Sequence, residues 1–173
     1  MLFRSLNYCA LRYFNVAGAD PKGRSGQSTA GATHLIKIAV EAATGKRDHV
    51  SVFGTDYDTP DGTGVRDYIH VSDLVRAHLD ALRYLRGGGA SVTANCGYGR
   101  GYSVREVIDT VKKVSGVDFR VDLSPRRPGD PAQIVASPDR ARAVLGWKPV
   151  HDDLAGIVGN ALGWERKLML RNR

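Results

Sequence analysis

Two short arginine-containing segments carry the side chains best suited to bind a phosphorylated ligand. In Arg66–Tyr68 a guanidinium, a carboxylate and a phenol stand together at the start of a predicted strand, and in Arg126–Asp130 two guanidinium groups precede a carboxylate in a predicted turn. The planar fork of arginine matches a phosphate group, and a neighbouring aspartate can accept a hydrogen bond from a ribose or sugar hydroxyl. Each segment, taken alone, also fits a surface ion pair, so both interpretations stay open at this point.

The remaining motifs fit their apparent chemistry less well. Gly97–Gly101 lies between a predicted strand and a predicted helix, as a dinucleotide-binding loop does, but Tyr102 stands where that loop needs its third glycine. We therefore interpret this segment as a tight turn. Asp56, Asp58 and Asp61 match the spacing of a calcium loop only in part, and the five histidines show no metal-ligand spacing. We predict no metal site.

The charge balance suits a polyanionic partner without choosing one. Lys and Arg number 25 against 18 Asp and Glu, which gives a formal net charge of +7. Nucleic acid, a membrane surface and a nucleotide diphosphate would all attract such a chain. The basic residues are spread along the sequence and not interleaved with aromatic residues, so we predict neither nucleic acid nor a membrane as a partner.

The composition is that of one soluble globular domain. The chain has 173 residues, of which 42% are hydrophobic and 25% charged. No apolar run approaches the ~18–20 residues of a membrane span, and residues 1–7 lack the features of a secretory signal, so we expect a cytoplasmic protein. Cys9 and Cys96 lie far apart in apolar stretches, which predicts buried reduced thiols.

The elements that must position these residues alternate between strands and helices, which predicts an α/β fold. We expect strands over residues 10–16, 50–53, 65–71, 91–96 and 119–123, the first of them buried. We expect helices from residue 35 to Gly45, from a cap at Ser72, from a capping box at Ser103, from Ser137 to Leu145 and from a cap at Asp152 or Asp153.

The helix that follows Ser72 shows an apolar face at helical spacing. Its predicted buried positions are Leu74, Val75, His78, Leu79, Leu82 and Leu85. His78 is expected to be a core histidine with satisfied hydrogen bonds.

Four segments closely resemble the UDP-glucose 4-epimerases of the extended short-chain dehydrogenase/reductase superfamily. They are Leu11–Ala19, Ala32–Ile36, Val52–Val71 and Pro125–Asp130, and the resemblance spans residues 11–167. Sugar-nucleotide dehydratases and decarboxylases carry a shorter version of the third segment, without its Asp-Gly-Thr-Gly insertion. The long segment is therefore the most specific of the four.

The resemblance implies a fold and a reaction. It places residues 10–18 and 91–97 as late strands of a Rossmann-type sheet, while the rest of residues 1–173 forms a smaller mixed α/β substrate-binding domain. Complete members are expected to be homodimers that interconvert UDP-glucose and UDP-galactose in galactose metabolism. They use NAD to take a hydride from C4 of the sugar and return it to the other face.

The resemblance also implies which residues contact the diphosphate and ribose. Asn15, Arg66 and Arg127 match the family's diphosphate ligands, and Asp130 matches the carboxylate on the ribose hydroxyls. Tyr68 matches a tyrosine beside the nucleotide.

Further matches concern the nucleotide base and the cofactor. His34 and Leu35 match positions that line the nucleotide, and Val50, Ser51 and Phe53 match positions that flank the uracil. Tyr13 stands where the family's strand passes the nicotinamide.

Two features of the family are missing from this sequence. It has no Gly-x-x-Gly-x-x-Gly loop for NAD, and no tyrosine is followed four positions later by a lysine. We therefore expect no catalytic residue in this chain, which we interpret as a C-terminal, substrate-binding half that is inactive alone. The alternatives are a non-catalytic nucleotide-sugar-binding or interaction module, and another NAD-dependent sugar-nucleotide epimerase.

Overall fold

The computed structural model of the chain describes residues 6–171, which form nine strands and five helices. The strands are β1 (Cys9–Arg12), β2 (Asn15–Ala17), β3 (His49–Phe53), β4 (Val65–Arg66), β5 (Tyr68–His70), β6 (Val92–Asn95), β7 (Tyr102–Ser103), β8 (Arg120–Ser124) and β9 (Gln133–Ile134). The helices are α1 (Leu35–Ala43), α2 (Val71–Arg86), α3 (Val104–Ser115), α4 (Asp139–Leu145) and α5 (Leu154–Arg171). The prediction that no secretory signal is present depends largely on residues 1–5, which lie outside the described residues.

The strands pair in four small sheets, most of them parallel, which confirms the predicted α/β class. β1 pairs with β6, β2 with β5, and β3 with β8, all in parallel. In the fourth sheet β4 lies between β7, which runs antiparallel to it, and β9, which runs parallel. Among the described residues, no helix is both long and apolar enough to cross a membrane.

Helices α1, α3 and α5 pack against one another and contribute many of the core side chains. Ala39, Val107, Val111 and Val158 are fully buried where these helices meet. Burial of such side chains stabilises the fold by about 1.5–3 kcal/mol for each large one. This packing fixes the first turn of α1 next to β3.

Helix ends that depend on local signals form as the sequence predicts. The Ser103 hydroxyl accepts from the Glu106 amide at 3.0 Å, and the Glu106 carboxylate accepts from the Ser103 amide at 2.6 Å. This is the predicted capping box of α3. The Asp153 carboxylate accepts from the Gly156 amide at 2.6 Å and so caps α5.

Two predicted helix starts are wrong by one or two residues. α2 is capped by His70, whose Nδ1 accepts from the Ser72 amide at 3.0 Å, and not by Ser72. The extended backbone at the end of β5 places the His70 ring where the cap is needed. α4 begins at Asp139 because Pro138 occupies the capping position, and Ser137 precedes the helix.

The predicted buried face of α2 is largely wrong. Leu74 is buried together with two small residues, Ala77 and Ala81, whereas Val75 is 53% exposed and Leu79 50% exposed. The alanines allow β1, α4 and β5 to approach α2 closely, and the larger side chains point outward. The predicted core residues His78 and Leu82 are also exposed, and His78 Nδ1 bonds the Leu74 carbonyl at 2.9 Å.

The predicted strand over residues 10–16 is two strands, and it is not fully buried. β1 pairs with β6 and β2 pairs with β5 of a different sheet, so the chain changes partner at Tyr13 and Phe14, which are 44% and 42% exposed. The predicted strand over residues 65–71 is likewise divided, at Asp67. Cys9 is only half-buried, while burial raises the pKa of the Cys96 thiol to about 11.

Candidate functional site

One cavity of about 310 Å³ collects every residue for which we predict a substrate contact. Its volume lies near the lower end of the ~300–1,000 Å³ range of small-molecule sites. The residues lining it include Asn15, His34, Leu35, Val50, Ser51, Phe53, Arg66, Tyr68, Arg127 and Asp130. Residues far apart in the sequence therefore share one concave surface.

Short strands position the polar side of the cavity. Asn15 of β2 and Tyr68 of β5 are direct partners in the parallel ladder, and Arg66 ends the neighbouring strand β4. His34 and Leu35 lie at the first turn of α1. Gln27 Nε2, an amide nitrogen that can only donate, lies 3.0 Å from His34 Nδ1, so this ring nitrogen is the acceptor.

The opposite side of the cavity belongs to β3 and to the turn after β8. Val50, Ser51 and Phe53 lie on β3, and the Arg127 guanidinium lies 4.9 Å from the centre of the Phe53 ring. A cation over an aromatic face is attracted by the ring quadrupole. The Phe53 ring thus has a face on which a planar group can stack once the guanidinium moves away from it.

The charges of the cavity favour an anion. Arg127 pairs with Asp130, with 2.7 Å between Nη2 and Oδ2. Arg66 donates from Nη1 to the carbonyls of Val65 at 2.8 Å and Ala132 at 3.4 Å, and it has no carboxylate partner among residues 6–171. Two guanidinium groups therefore face one carboxylate, which leaves a positive balance.

Two further polar groups can add hydrogen bonds. Asn15 Nδ2 donates to the Asp67 carbonyl at 3.3 Å, which fixes the orientation of the side-chain amide. Burial raises the pKa of Tyr68 far above its ordinary value, so its phenol stays protonated. The cavity thus combines two cations with neutral hydrogen-bonding groups.

Five lining residues were missed by the sequence analysis: Thr33, Ile38, Tyr57, Gly64 and Val104. Tyr57 is buried, its hydroxyl has no hydrogen-bond partner within the described part of the chain, and its ring carries the Arg126 guanidinium at 4.1 Å. Tyr57 and Gly64 fall inside the segment that carries the resemblance, and this could have indicated them. Val104 reaches the cavity through tertiary packing, for which the sequence holds no signal.

Two residues singled out in the sequence lie outside the cavity. Arg126 bonds Asp56, with 2.6 Å between Nε and Oδ1, and lines a separate surface depression. Tyr13, predicted to contact the cofactor, does not line the cavity; its ring meets the His78 ring edge-on at 6.2 Å. Within residues 6–171, no group of three or more His, Cys, Asp or Glu side chains is placed to hold a metal ion.

The glycine-rich turn at Gly97–Gly101 is filled by a protein carboxylate. Asp67 accepts hydrogen bonds from the amides of Tyr98 and Gly99, both at 3.1 Å. These amides point at Asp67 and are not free to hold a phosphate. The turn therefore does not fit a dinucleotide, which agrees with the interpretation of this segment as a tight turn.

A second depression beside the cavity is too small for a ligand. It holds about 20 Å³, which is room for a single water molecule. Lys37 and Glu165 form a buried ion pair at its wall, and Glu41 lies 3.3 Å from the same ammonium group. These charges satisfy one another, and the depression has no room for a ligand.

Comparisons with known proteins place this geometry in a family. The sequence pattern of the NAD dependent epimerase/dehydratase family matches residues 3–97. The UDP-glucose 4-epimerase of Azospirillum brasilense is 63% identical over 158 residues, which are 91% of this chain and 45% of that enzyme.

Solved structures give the same result. The UDP-glucose 4-epimerase of Stenotrophomonas maltophila, with bound NAD and formylated UDP-arabinopyranose, superposes with a TM-score of 0.92 at 41% identity, covering 97% of this chain and 50% of that one. The UDP-glucose 4-epimerase of Bifidobacterium longum, in complex with NAD+ and UDP, superposes with a TM-score of 0.87 at 38% identity. This match covers 94% of this chain and 48% of that one.

The chain thus spans about half the length of the relatives it matches. The predicted C-terminal part of an extended short-chain dehydrogenase/reductase fold is confirmed by these superpositions. Since the family pattern covers more than half of the sequence, the chain belongs to the NAD dependent epimerase/dehydratase family.

Proposed function

We propose that this chain is the substrate-binding half of a UDP-glucose 4-epimerase and holds UDP-glucose or UDP-galactose in the 310 Å³ cavity. The observation that carries the proposal is the convergence of all ten predicted substrate contacts on this one cavity. The 63% sequence identity to the UDP-glucose 4-epimerase of Azospirillum brasilense supports the choice of substrate.

The diphosphate binds between Arg66 and Arg127 in this proposal, with the Asn15 amide as a further ligand. The Arg66 guanidinium is held by two carbonyl groups and is already oriented before the ligand arrives. Arg127 exchanges its pairing with Asp130 for the phosphate, which releases the Asp130 carboxylate to accept from a ribose hydroxyl. Hydrogen bonds to charged groups contribute about 1.5–3 kcal/mol each.

The base lies along β3, beside Val50, Ser51 and Phe53. Uracil is planar, and it replaces the Arg127 guanidinium on the Phe53 ring. His34 and Leu35 line the nucleotide from α1, and the Tyr68 phenol supplies a hydrogen-bond donor beside it. The same ring face thus serves the arginine before binding and the base afterwards.

NAD belongs to the complete protein in this proposal, which we also expect to be a homodimer. The described residues offer no cradle for its phosphates, because the one glycine-rich turn between a strand and a helix encloses Asp67. Tyr13 stays the sole predicted cofactor contact, and its ring is partly exposed. We therefore assign no catalytic step to a residue of this chain.

Isothermal titration calorimetry of the purified chain tests the proposal. UDP and UDP-galactose should bind with one-to-one stoichiometry, uridine more weakly, and ADP and inorganic phosphate weakest of all. A melting curve establishes that the titrated chain is folded. A folded chain that binds ADP as well as UDP, or binds neither, would contradict the proposal.

A further inference from the structure

Asp67 stands between two residues that line the cavity but does not line it. Side chains of an extended segment alternate between its two faces, so Arg66 and Tyr68 point to one side and Asp67 to the other. The Asp67 side chain is 1% exposed, whereas its two neighbours face the cavity. Whatever holds Asp67 on its own side therefore sets how its neighbours face the ligand.

Three backbone amides hold the Asp67 carboxylate. The amides of Tyr98 and Gly99 donate at 3.1 Å, and the amide of Ala136 donates at 3.3 Å. A Cβ built on Gly97 would lie 2.5 Å from Ala136 Cβ and 2.6 Å from Asp67 Oδ2, so only a glycine leaves space for both the Ala136 methyl group and the carboxylate. The glycine-rich turn thus encloses this one side chain.

The backbone of Asp67 forms hydrogen bonds with two more segments. Its carbonyl accepts from the Asn15 backbone amide at 3.4 Å and from Asn15 Nδ2 at 3.3 Å. Its amide donates to the Ile134 carbonyl at 3.1 Å. Ile134 follows the turn that carries Arg127, so Asp67 connects β2 and β9 with the strands on either side of it.

We propose that Asp67 is a positioning residue of the substrate site: its buried carboxylate fixes Asn15, Arg66 and Tyr68 in the geometry that binds the diphosphate. This inference rests on the proposed function. An asparagine at position 67 would bring its own N–H donors against the Tyr98 amide in one orientation, or against the amides of Tyr98, Gly99 and Ala136 in the other, because all three amides also donate. The mismatch would move the segment and its neighbours without removing any group that touches the ligand.

Asp73 provides a matched control for a loss of stability alone. It is also fully buried, and it accepts from the Tyr98 hydroxyl at 2.8 Å, the Val150 amide at 3.0 Å and the His151 amide at 2.8 Å. It lies in the first turn of α2 and does not line the cavity. Asp73→Asn therefore disturbs an equally buried carboxylate that shares Tyr98 with Asp67 but bonds no residue that lines the cavity.

The experiment compares Asp67→Asn with Asp73→Asn in this chain by melting curves and by calorimetric titration with UDP. Both variants should melt at lower temperature than the unmodified chain. Asp67→Asn should weaken UDP binding at least ~10-fold, equivalent to ~1.4 kcal/mol, while Asp73→Asn should change it less than ~2-fold. The inference would be overturned if Asp67→Asn bound UDP as tightly as the unmodified chain, or if Asp73→Asn lost as much UDP affinity as Asp67→Asn.

Two further measurements cover the remaining outcomes. If Asp67→Asn does not fold, Gly97→Ala takes its place, because the added methyl group meets both Ala136 Cβ and the Asp67 carboxylate and leaves the charge of Asp67 unchanged. Gly97→Ala should weaken UDP binding similarly, and an unchanged affinity would overturn the inference. If the unmodified chain does not bind UDP, the proposed function fails. Hydrogen exchange then decides the positioning role: residues 15 and 64–68 should exchange faster in Asp67→Asn than in Asp73→Asn, and equal rates would refute it.

Discussion

Replacing Arg127 by alanine separates phosphate binding from the rest of the site. The Arg127 side chain is 59% exposed and pairs with Asp130, whose side chain is 28% exposed. Ion pairs this exposed contribute about 0–1 kcal/mol to stability. Arg127→Ala should therefore leave the melting temperature nearly unchanged.

The effect on UDP binding should be much larger. A hydrogen bond between the guanidinium and a charged phosphate contributes about 1.5–3 kcal/mol, which corresponds to a roughly 10- to 150-fold loss of affinity. Arg127 must first give up Asp130 and the Phe53 ring, from which its guanidinium lies 4.9 Å. We therefore expect a value toward the lower end of this range.

Calorimetric titrations with UDP and with uridine measure the effect, and Arg126→Ala is the control. Arg126 is the adjacent arginine, but it pairs with Asp56 and lines a different depression. Arg127→Ala should weaken UDP binding and leave uridine binding nearly unchanged, while Arg126→Ala should alter UDP affinity less than ~2-fold. If Arg127→Ala left UDP affinity unchanged, or weakened uridine binding as much as UDP binding, Arg127 would not be a phosphate ligand.

Three other predictions concern stability and assembly. Burial lowers the pKa of His70 in the folded chain, so the unfolded chain binds a proton first as the pH falls. The free energy of unfolding measured in urea should therefore be constant above about pH 6.5 and decline below it. A free energy of unfolding that stays constant from about pH 7.5 to 5 would contradict this. Ser103→Ala removes the capping hydroxyl of α3 and should lower the free energy of unfolding by about 1–2 kcal/mol in the same assay, with no loss counting against the cap. The exposed apolar stripe Val75, Leu79 and Leu82 should make the isolated chain self-associate in sedimentation experiments. Adding the N-terminal half of the Azospirillum brasilense relative with NAD should yield a soluble complex, and a monodisperse chain unaffected by that half would refute this.

The features that the sequence predicted well are local ones. The capping box at Ser103 depends on residues within one turn of each other. The cap at Asp153 is of the same kind. Such signals need no knowledge of the rest of the fold.

Features that depend on distant partners were predicted less well. Spacing alone places Val75 and Leu79 on one face of α2 with Leu74, but the surface that packs on α2 accepts the small side chains of Ala77 and Ala81. In the sequence around Tyr13, nothing indicates that the predicted strand divides into β1 and β2, which pair in two different sheets. Which face a helix buries is decided by what packs against it.

The candidate site shows the same limit. Residue types and spacing left open whether Arg127 and Asp130 bind a ligand or pair with each other, and in the structure they do pair. The resemblance indicated the other members of the site, and the structure brings them to one cavity. Strand alternation places Asp67 opposite Arg66 and Tyr68, but nothing in the spacing showed that its carboxylate enters the glycine-rich turn.

A crystal structure of the chain with UDP-glucose tests the substrate-binding role of the cavity most directly. We expect the diphosphate between Arg66 and Arg127, the uracil against Phe53 on β3, and a broken pairing between Arg127 and Asp130. Nucleotide bound elsewhere on the chain, or an empty cavity at saturating UDP-glucose with the pairing intact, would contradict it.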